Sequence, residues 1–187
     1  MRTLTVFNNV SLDGYFTGVN DDISWTYQPN RDPEFEAFTT ENAKTGGELV
    51  FGRKTYQMMA SFWPTPMAFN QDPVMAEHIN KLSKTVFSRT LLEASWENTR
   101  LIKGNLLEEI KKMKEEPGKD MVILGSGSLV SQLSQARLID RYQFVINPVV
   151  LGGGRTMFDG MIEKLQLKLM DTRIFNNGKM VLTYGVD

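Results

Sequence analysis

The chain has 187 residues, 41% of them hydrophobic and 23% charged, with a formal net charge of −1. That length fits one domain spanning 1–187 with a sizeable core, and the composition is too apolar for disorder. Near-neutral charge without a basic run disfavours bulk nucleic-acid binding, and the lack of cysteine with a lone His78 excludes disulfides, thiolate nucleophiles and Cys/His zinc sites.

Residues 3–10 alternate apolar and polar side chains (Leu4 and Val6 against Thr5 and Asn8), which predicts a strand from the start rather than a signal peptide. Nothing approaches transmembrane length, so the expectation is a cytoplasmic protein without a membrane partner. Residues 11–33 are rich in Gly, Asp and Asn. A loop that long is usually functional or disordered, and its aromatics (Tyr15, Phe16, Trp25, Tyr27) argue for an ordered cover. Pro33 then opens a helix with Phe35 and Phe38 on one face, stopped by Gly46-Gly47.

ELVFG (48–52) reads as a buried strand and RKTYQMMASF as the helix after it. Trp63-Pro64-Thr65-Pro66 reads as a loop, and Asp72-Pro73 as the start of a further helix. TVFS (85–88) and TRLI (99–102) are strands, and Asn105 caps a helix that Pro117-Gly118 stops. MVIL (121–124) feeds a leucine-rich helix through Gly125-Ser126-Gly127-Ser128. RYQFVINPVVL (141–151) is a strand, Gly152-Gly153-Gly154 a loop, and the last segment a hairpin turning at Asn177-Gly178. The order predicts a mixed α/β sheet with helices on both faces and a C-terminal antiparallel hairpin.

Three strand ends carry phosphate-compatible residues. At GSGS, backbone N–H groups aimed by a helix N-terminus could bind an anion, or the corner could be a plain tight turn. The Rossmann fingerprint fails there, because Val130 stands where the third glycine belongs, and no Lys follows for a P-loop. VFGRKT repeats the grammar with Arg53 and Thr55 on the first helical turn, and VFSRT places Ser88 and Arg89 where a strand gives out. Ligands in open α/β sheets bind beyond such carboxyl ends. Three of them suit an extended ligand with separated phosphates.

FGRKTY, VFSRT and ILGSGSLVSQL, in that order, resemble the cofactor segments of the dihydrofolate reductase-like fold. SLDG (11–14), ISW (23–25) and INPVVLGGG (146–154) more closely resemble the reductase domain of the riboflavin-biosynthesis deaminase-reductase family. That resemblance implies NADPH as cofactor. It implies phosphate contacts from Gly52, Arg53, Lys54 and Thr55, and a 2′-phosphate and adenine site at Ser88 and Arg89. It implies a pyrophosphate cradle of Gly125, Ser126, Gly127, Ser128 and Leu129, with Val10 and Trp25 near the nicotinamide. Asp13, beside Ser11 in an Asp-Gly turn, becomes a catalytic candidate through the same resemblance. Glu36 is a second, with Glu41 as the alternative, because dihydrofolate reductases carry a carboxylate on the helix before the GRxT junction. His78, in the helical run AEHINKL, is a poor proton donor. The implied activity is NADPH-dependent reduction of a small pyrimidine, pteridine or ribosylamino-type substrate. The rivals are a dinucleotide- or metabolite-binding protein without turnover, and a protein whose main role is assembly through its C-terminal strands. A homodimer is expected, since long apolar strands at a sheet edge need a partner or a cover.

Overall fold

The computed structural model describes residues 1–27 and 31–186, the side chain of Thr45 excepted. Its main sheet has eight strands. Six are parallel: β1 (Leu4–Ser11), β3 (Glu48–Gly52), β4 (Lys84–Phe87), β5 (Thr99–Ile102), β6 (Met121–Leu124) and β7 (Arg141–Asn147). The hairpin β9 (Leu167–Ile174) and β10 (Met180–Val186) adds to β7 in antiparallel sense, giving the order β5-β4-β3-β6-β1-β7-β10-β9. A second, two-stranded sheet joins β2 (Tyr15–Thr17) to β8 (Arg155–Thr156).

Helices α1 (Pro33–Thr45), α2 (Arg53–Phe62), α3 (Pro66–Gln71) and α4 (Pro73–Lys81) precede β4; α5 (Leu106–Glu115) and α6 (Gly127–Gln135) follow β5 and β6. The two-residue period of the strands sorts them onto opposite faces. Leu4, Val6, Val50, Met121 and Ile123 pack with Ile110 and Met113 of α5 and with Val130 and Leu133 of α6. Their alternates Leu49, Phe51 and Val86 meet Ala43 of α1, Tyr56 of α2 and Ile79 of α4. Right-handed crossovers require this division, because chain steps in opposite directions along the sheet carry helices to opposite faces.

Three boundaries differ from the sequence expectation. β7 ends at Asn147, since Pro148 has no N–H to continue the ladder. Pro66 opens α3 where a loop was expected, because proline suits a first helical turn. The covering loop carries β2 and two 3-10 turns, Val19–Asp21 and Ser24–Thr26, and its residues 28–30 lie outside those described. No helix among the described residues is long and apolar enough to cross a membrane.

β4 begins one residue earlier than its apolar run, on a lysine. Lys84 is only 1% exposed, and its Nζ donates to the carbonyls of Asn80 (2.9 Å), Leu82 (2.7 Å) and Glu97 (3.2 Å). The ammonium lies 4.5 Å from the centre of the Trp96 ring. Burial nevertheless pulls its pKa from 10.5 down to about 8. Between those values the unfolded chain binds more protons than the folded one, so stability rises with pH across that window. Relative to Lys84→Met, the unfolding free energy should be flat below about pH 7 and gain up to roughly 3 kcal/mol by about pH 10.5. Denaturant titrations of both proteins at several pH values check this; a constant difference would show that burial does not penalise the ammonium.

Candidate functional site

A cleft of about 1120 Å³ opens beyond the carboxyl ends of the central strands. Its floor comes from three strand ends, two of which run into helices. Gly52, Arg53, Lys54 and Thr55 stand between β3 and α2, Ser88 and Arg89 follow β4, and Gly125 to Leu129 join β6 to α6. Phe16, Thr17, Asp21 and Ile23 of the covering segment, with Arg155 of β8, complete the wall. Eleven sequence-predicted cofactor residues therefore share one cavity: Gly52, Arg53, Lys54, Thr55, Ser88, Arg89, Gly125, Ser126, Gly127, Ser128 and Leu129.

The two glycine corners are cross-linked. The Gly125 N–H donates to the Asn8 side-chain oxygen, and Asn8 Nδ2 donates back to the Gly125 carbonyl at 3.1 Å. Ser126 N–H donates to Thr55 Oγ1 at 3.0 Å, while Ser126 Oγ accepts from Gly52 N–H at 2.9 Å and donates to the Leu124 carbonyl at 3.1 Å. Ser126 itself is left-handed, with φ 57°, an arrangement these bonds hold in place. The N–H groups of Gly52, Gly125 and Ser126 are thus spent within the protein. The first half of GSGS locks the two turns together.

The donors that remain sit one step further on. Helices α1, α4 and α5 begin under side-chain caps from Asp32, Asp72 and Asn105. Helices α2 and α6, whose first turns face the cleft, have none. A helix leaves its first N–H groups without intrahelical partners, and the helix dipole adds positive potential there. Those of Arg53 and Lys54 on α2, and of Gly127 and Ser128 on α6, are therefore available for anionic oxygens. Exposed Arg89 has no hydrogen-bond or ion-pair partner among the described residues. The arrangement fits a ligand carrying several phosphates.

The RibD C-terminal domain model matches residues 2–181. The chain belongs to that family. A relative from Bacillus subtilis (strain 168), the uncharacterized protein YyaP, is 32% identical over 94% of this chain and 90% of its own. Among solved structures, the Thermotoga maritima diaminohydroxyphosphoribosylaminopyrimidine deaminase/5-amino-6-(5-phosphoribosylamino)uracil reductase is similar with a TM-score of 0.70 and 11% identity, over 100% of this chain and 57% of that one. Enterococcus faecalis dihydrofolate reductase complexed with NADP(H) is similar with a TM-score of 0.63 and 16% identity, over 99% and 96% of the two chains. The fold is dihydrofolate reductase-like.

In this RibD C-terminal domain the remaining candidates stand outside the cleft wall. Asp13 accepts from Ser11 Oγ (2.7 Å) and from the backbone N–H groups of Leu151 (3.1 Å) and Gly152 (2.7 Å). Those bonds, the Ser11 hydroxyl first, hold its carboxyl below the ordinary value. Asp13 is the clasp between the SLDG turn and the glycine loop after β7. Glu36 pairs with Arg31 on the exposed side of α1. Val10 packs toward the core shared with α5 and α6, while its neighbour Asn9 lines the cleft. Trp25 donates its indole N–H to the Asp22 carbonyl and holds the shape of the covering segment. His78 sits in the last turn of α4, and neither it nor Glu41 lines the cleft.

Sequence reasoning missed Asn8, Thr17, Asp21 and Arg155, and named Phe16 only as part of the covering loop. The sequence reading grouped Asn8 with Thr5, whereas the two-residue period puts this buried amide on the strand face that carries Leu4 and Val6. Phe16, Thr17 and Arg155 arrive through strands of three and two residues, too short for any periodicity. Asp21 is the one carboxylate among the described cleft residues, and Lys54 and Arg155 both bind it.

Proposed function

We propose that this chain is an NADPH-dependent reductase acting on a small pyrimidine, pteridine or ribosylamino-type molecule. The observation that carries the reading is the pair of uncapped helix starts, α2 and α6, opening on one cleft beside Arg89. Membership of the RibD C-terminal domain family and the likeness to reductases of this fold support it. Bound NADPH would supply the hydride for a C=N or C=O carbon; the protein contributes orientation and electrostatics. The starts of α2 and α6 would hold phosphate oxygens, and Ser88 and Arg89 the 2′-phosphate end. Phe7, Asn9, Ile23 and Tyr27 line the same cleft and offer a flat substrate apolar contacts and a neutral amide.

Following NADPH absorbance against a panel of pterins and ribosylaminopyrimidines tests the proposal. Oxidation with any member supports it. Tight NADPH binding with no turnover across the panel favours the rival, a dinucleotide-binding protein without catalysis. One observation motivates that rival: the cleft's sole described carboxylate, Asp21, is already engaged by two cations.

We further propose a homodimer. On one face of the terminal hairpin, Leu169 (53% exposed) and Ile174 (70% exposed) lie opposite Tyr184 and Met180, with Leu182 between. Lys168, Arg173 and the register shift near Tyr184 guard the free edge of β9 against edge-to-edge pairing. The contact is therefore expected through the apolar face. Light scattering at micromolar concentration should give twice the chain mass of 21.3 kDa; a monomer that persists on concentrating rules the dimer out.

A further inference from the structure

Thr17, on β2, lines the cleft with 7% of its surface exposed, and its buried hydroxyl has no hydrogen-bond partner. A buried polar atom left unpaired in a cleft wall is costly, and a ligand oxygen would satisfy it. Arg155 is its cross-strand neighbour on β8. From the other side of the cleft comes Lys54, on the first turn of α2.

Both cations are neutralised by a single group. The carboxylate of Asp21 lies 3.0 Å from Lys54 Nζ and 3.0 Å from Arg155 Nη1. Asp21 reaches them from a segment in which it and Asn20 both have φ 60°, a conformation that side-chain-bearing residues rarely hold. All three side chains are about half exposed or more, and ion pairs in contact with solvent hold weakly. A phosphate group brings more negative charge and three acceptor oxygens to the same donors.

We propose that Lys54, Arg155 and Thr17 form a phosphate-binding subsite in the wall of the cleft, and that the Asp21 carboxylate is its built-in competitor. A phosphate entering the subsite takes Lys54 and Arg155 from Asp21 and gains the Thr17 hydroxyl. The covering segment then loses both ion pairs that tie Asp21 to α2 and β8. The owner of that phosphate, a dinucleotide, rests on the function proposed above; the subsite itself does not.

Calorimetric titration with NADPH, ribose 5-phosphate and inorganic phosphate tests this on the wild type, Asp21→Asn and Arg155→Gln. Asparagine tolerates the left-handed conformation as aspartate does, so Asp21→Asn removes the competing charge and keeps the loop. It should bind NADPH roughly tenfold tighter, and Arg155→Gln roughly tenfold weaker. Weaker binding by Asp21→Asn would mean that Asp21 only supports the loop, and it overturns the proposal. So does an affinity unchanged in either variant. If NADPH binds none of the proteins while ribose 5-phosphate or phosphate binds and tightens in Asp21→Asn, the subsite stands and the dinucleotide reading falls. Failure of all three probes to bind any of the proteins overturns the subsite.

Discussion

Replacing Arg89 by alanine should weaken NADPH binding ten- to a hundredfold and leave NADH almost unchanged. The backbone at the end of β4 is held in a fixed turn: Ser88 N–H donates to the Ile102 carbonyl, and Ser88 Oγ accepts from the N–H groups of Thr90 (3.2 Å) and Leu91 (2.9 Å). That turn presents the Arg89 guanidinium at the cleft without an internal partner. Hydrogen bonds to charged groups are worth roughly 1.5–3 kcal/mol, which sets the expected range. Arg53 differs, because its guanidinium already donates to Gln57 one helical turn away, at 3.2 Å. Arg53→Ala should therefore show a smaller loss with the same preference for NADPH. Equal affinity of the wild type for NADPH and NADH would sink the 2′-phosphate assignment for both arginines.

Gly127→Val should abolish NADPH binding, by at least a hundredfold, while most of the fold persists. The reason is not contact with the ligand. A Cβ at Gly127 would lie 2.7 Å from the Phe16 ring, which is buried against the start of α6. Valine must push that ring away, and Phe16 carries β2 and Thr17 with it. Overpacking of this kind costs about 1–3 kcal/mol of stability. Denaturant unfolding and NADPH titration of the same variant separate the two effects. Unchanged affinity in the folded variant would mean that neither the corner nor the β2 segment touches the dinucleotide.

The secondary structure was legible where its causes are local. The caps Asp72 and Asn105, the two-residue alternation of β1 and the Asn177-Gly178 turn all act within a few residues, and each appears where its residues predicted. The floor of the cleft was legible for the same reason, since two of its strand ends are a strand, a glycine and a helix start contiguous in sequence, and the third is a strand running into Ser88 and Arg89. The wall was not. Thr17 meets Arg155, and Asp21 meets Lys54 and Arg155, across more than thirty positions, and nothing in YFT or RT announces a strand. Asp13 is the instructive case. An aspartate in a turn beside the expected nicotinamide site reads as a catalytic candidate, and its bonds to the N–H groups of Leu151 and Gly152 are visible only once two distant loops meet.

The position of β1 governs how the chain reaches this state. The strand nearest the start of the sequence is interior, with Leu4 beside Met121 of β6 and Thr5 beside Arg141 of β7. During synthesis β3, β4 and β5 can begin to pair while β1 still lacks both neighbours. The residues that cover Leu4 and Val6, among them Ile110, Met121 and Val130, all come far later in the chain. Closing such long loops carries an entropic cost before any contact repays it, so docking of the first strand is a late and slow step. A chain that lacks β7 leaves one edge of β1 unpaired, a form prone to aggregate.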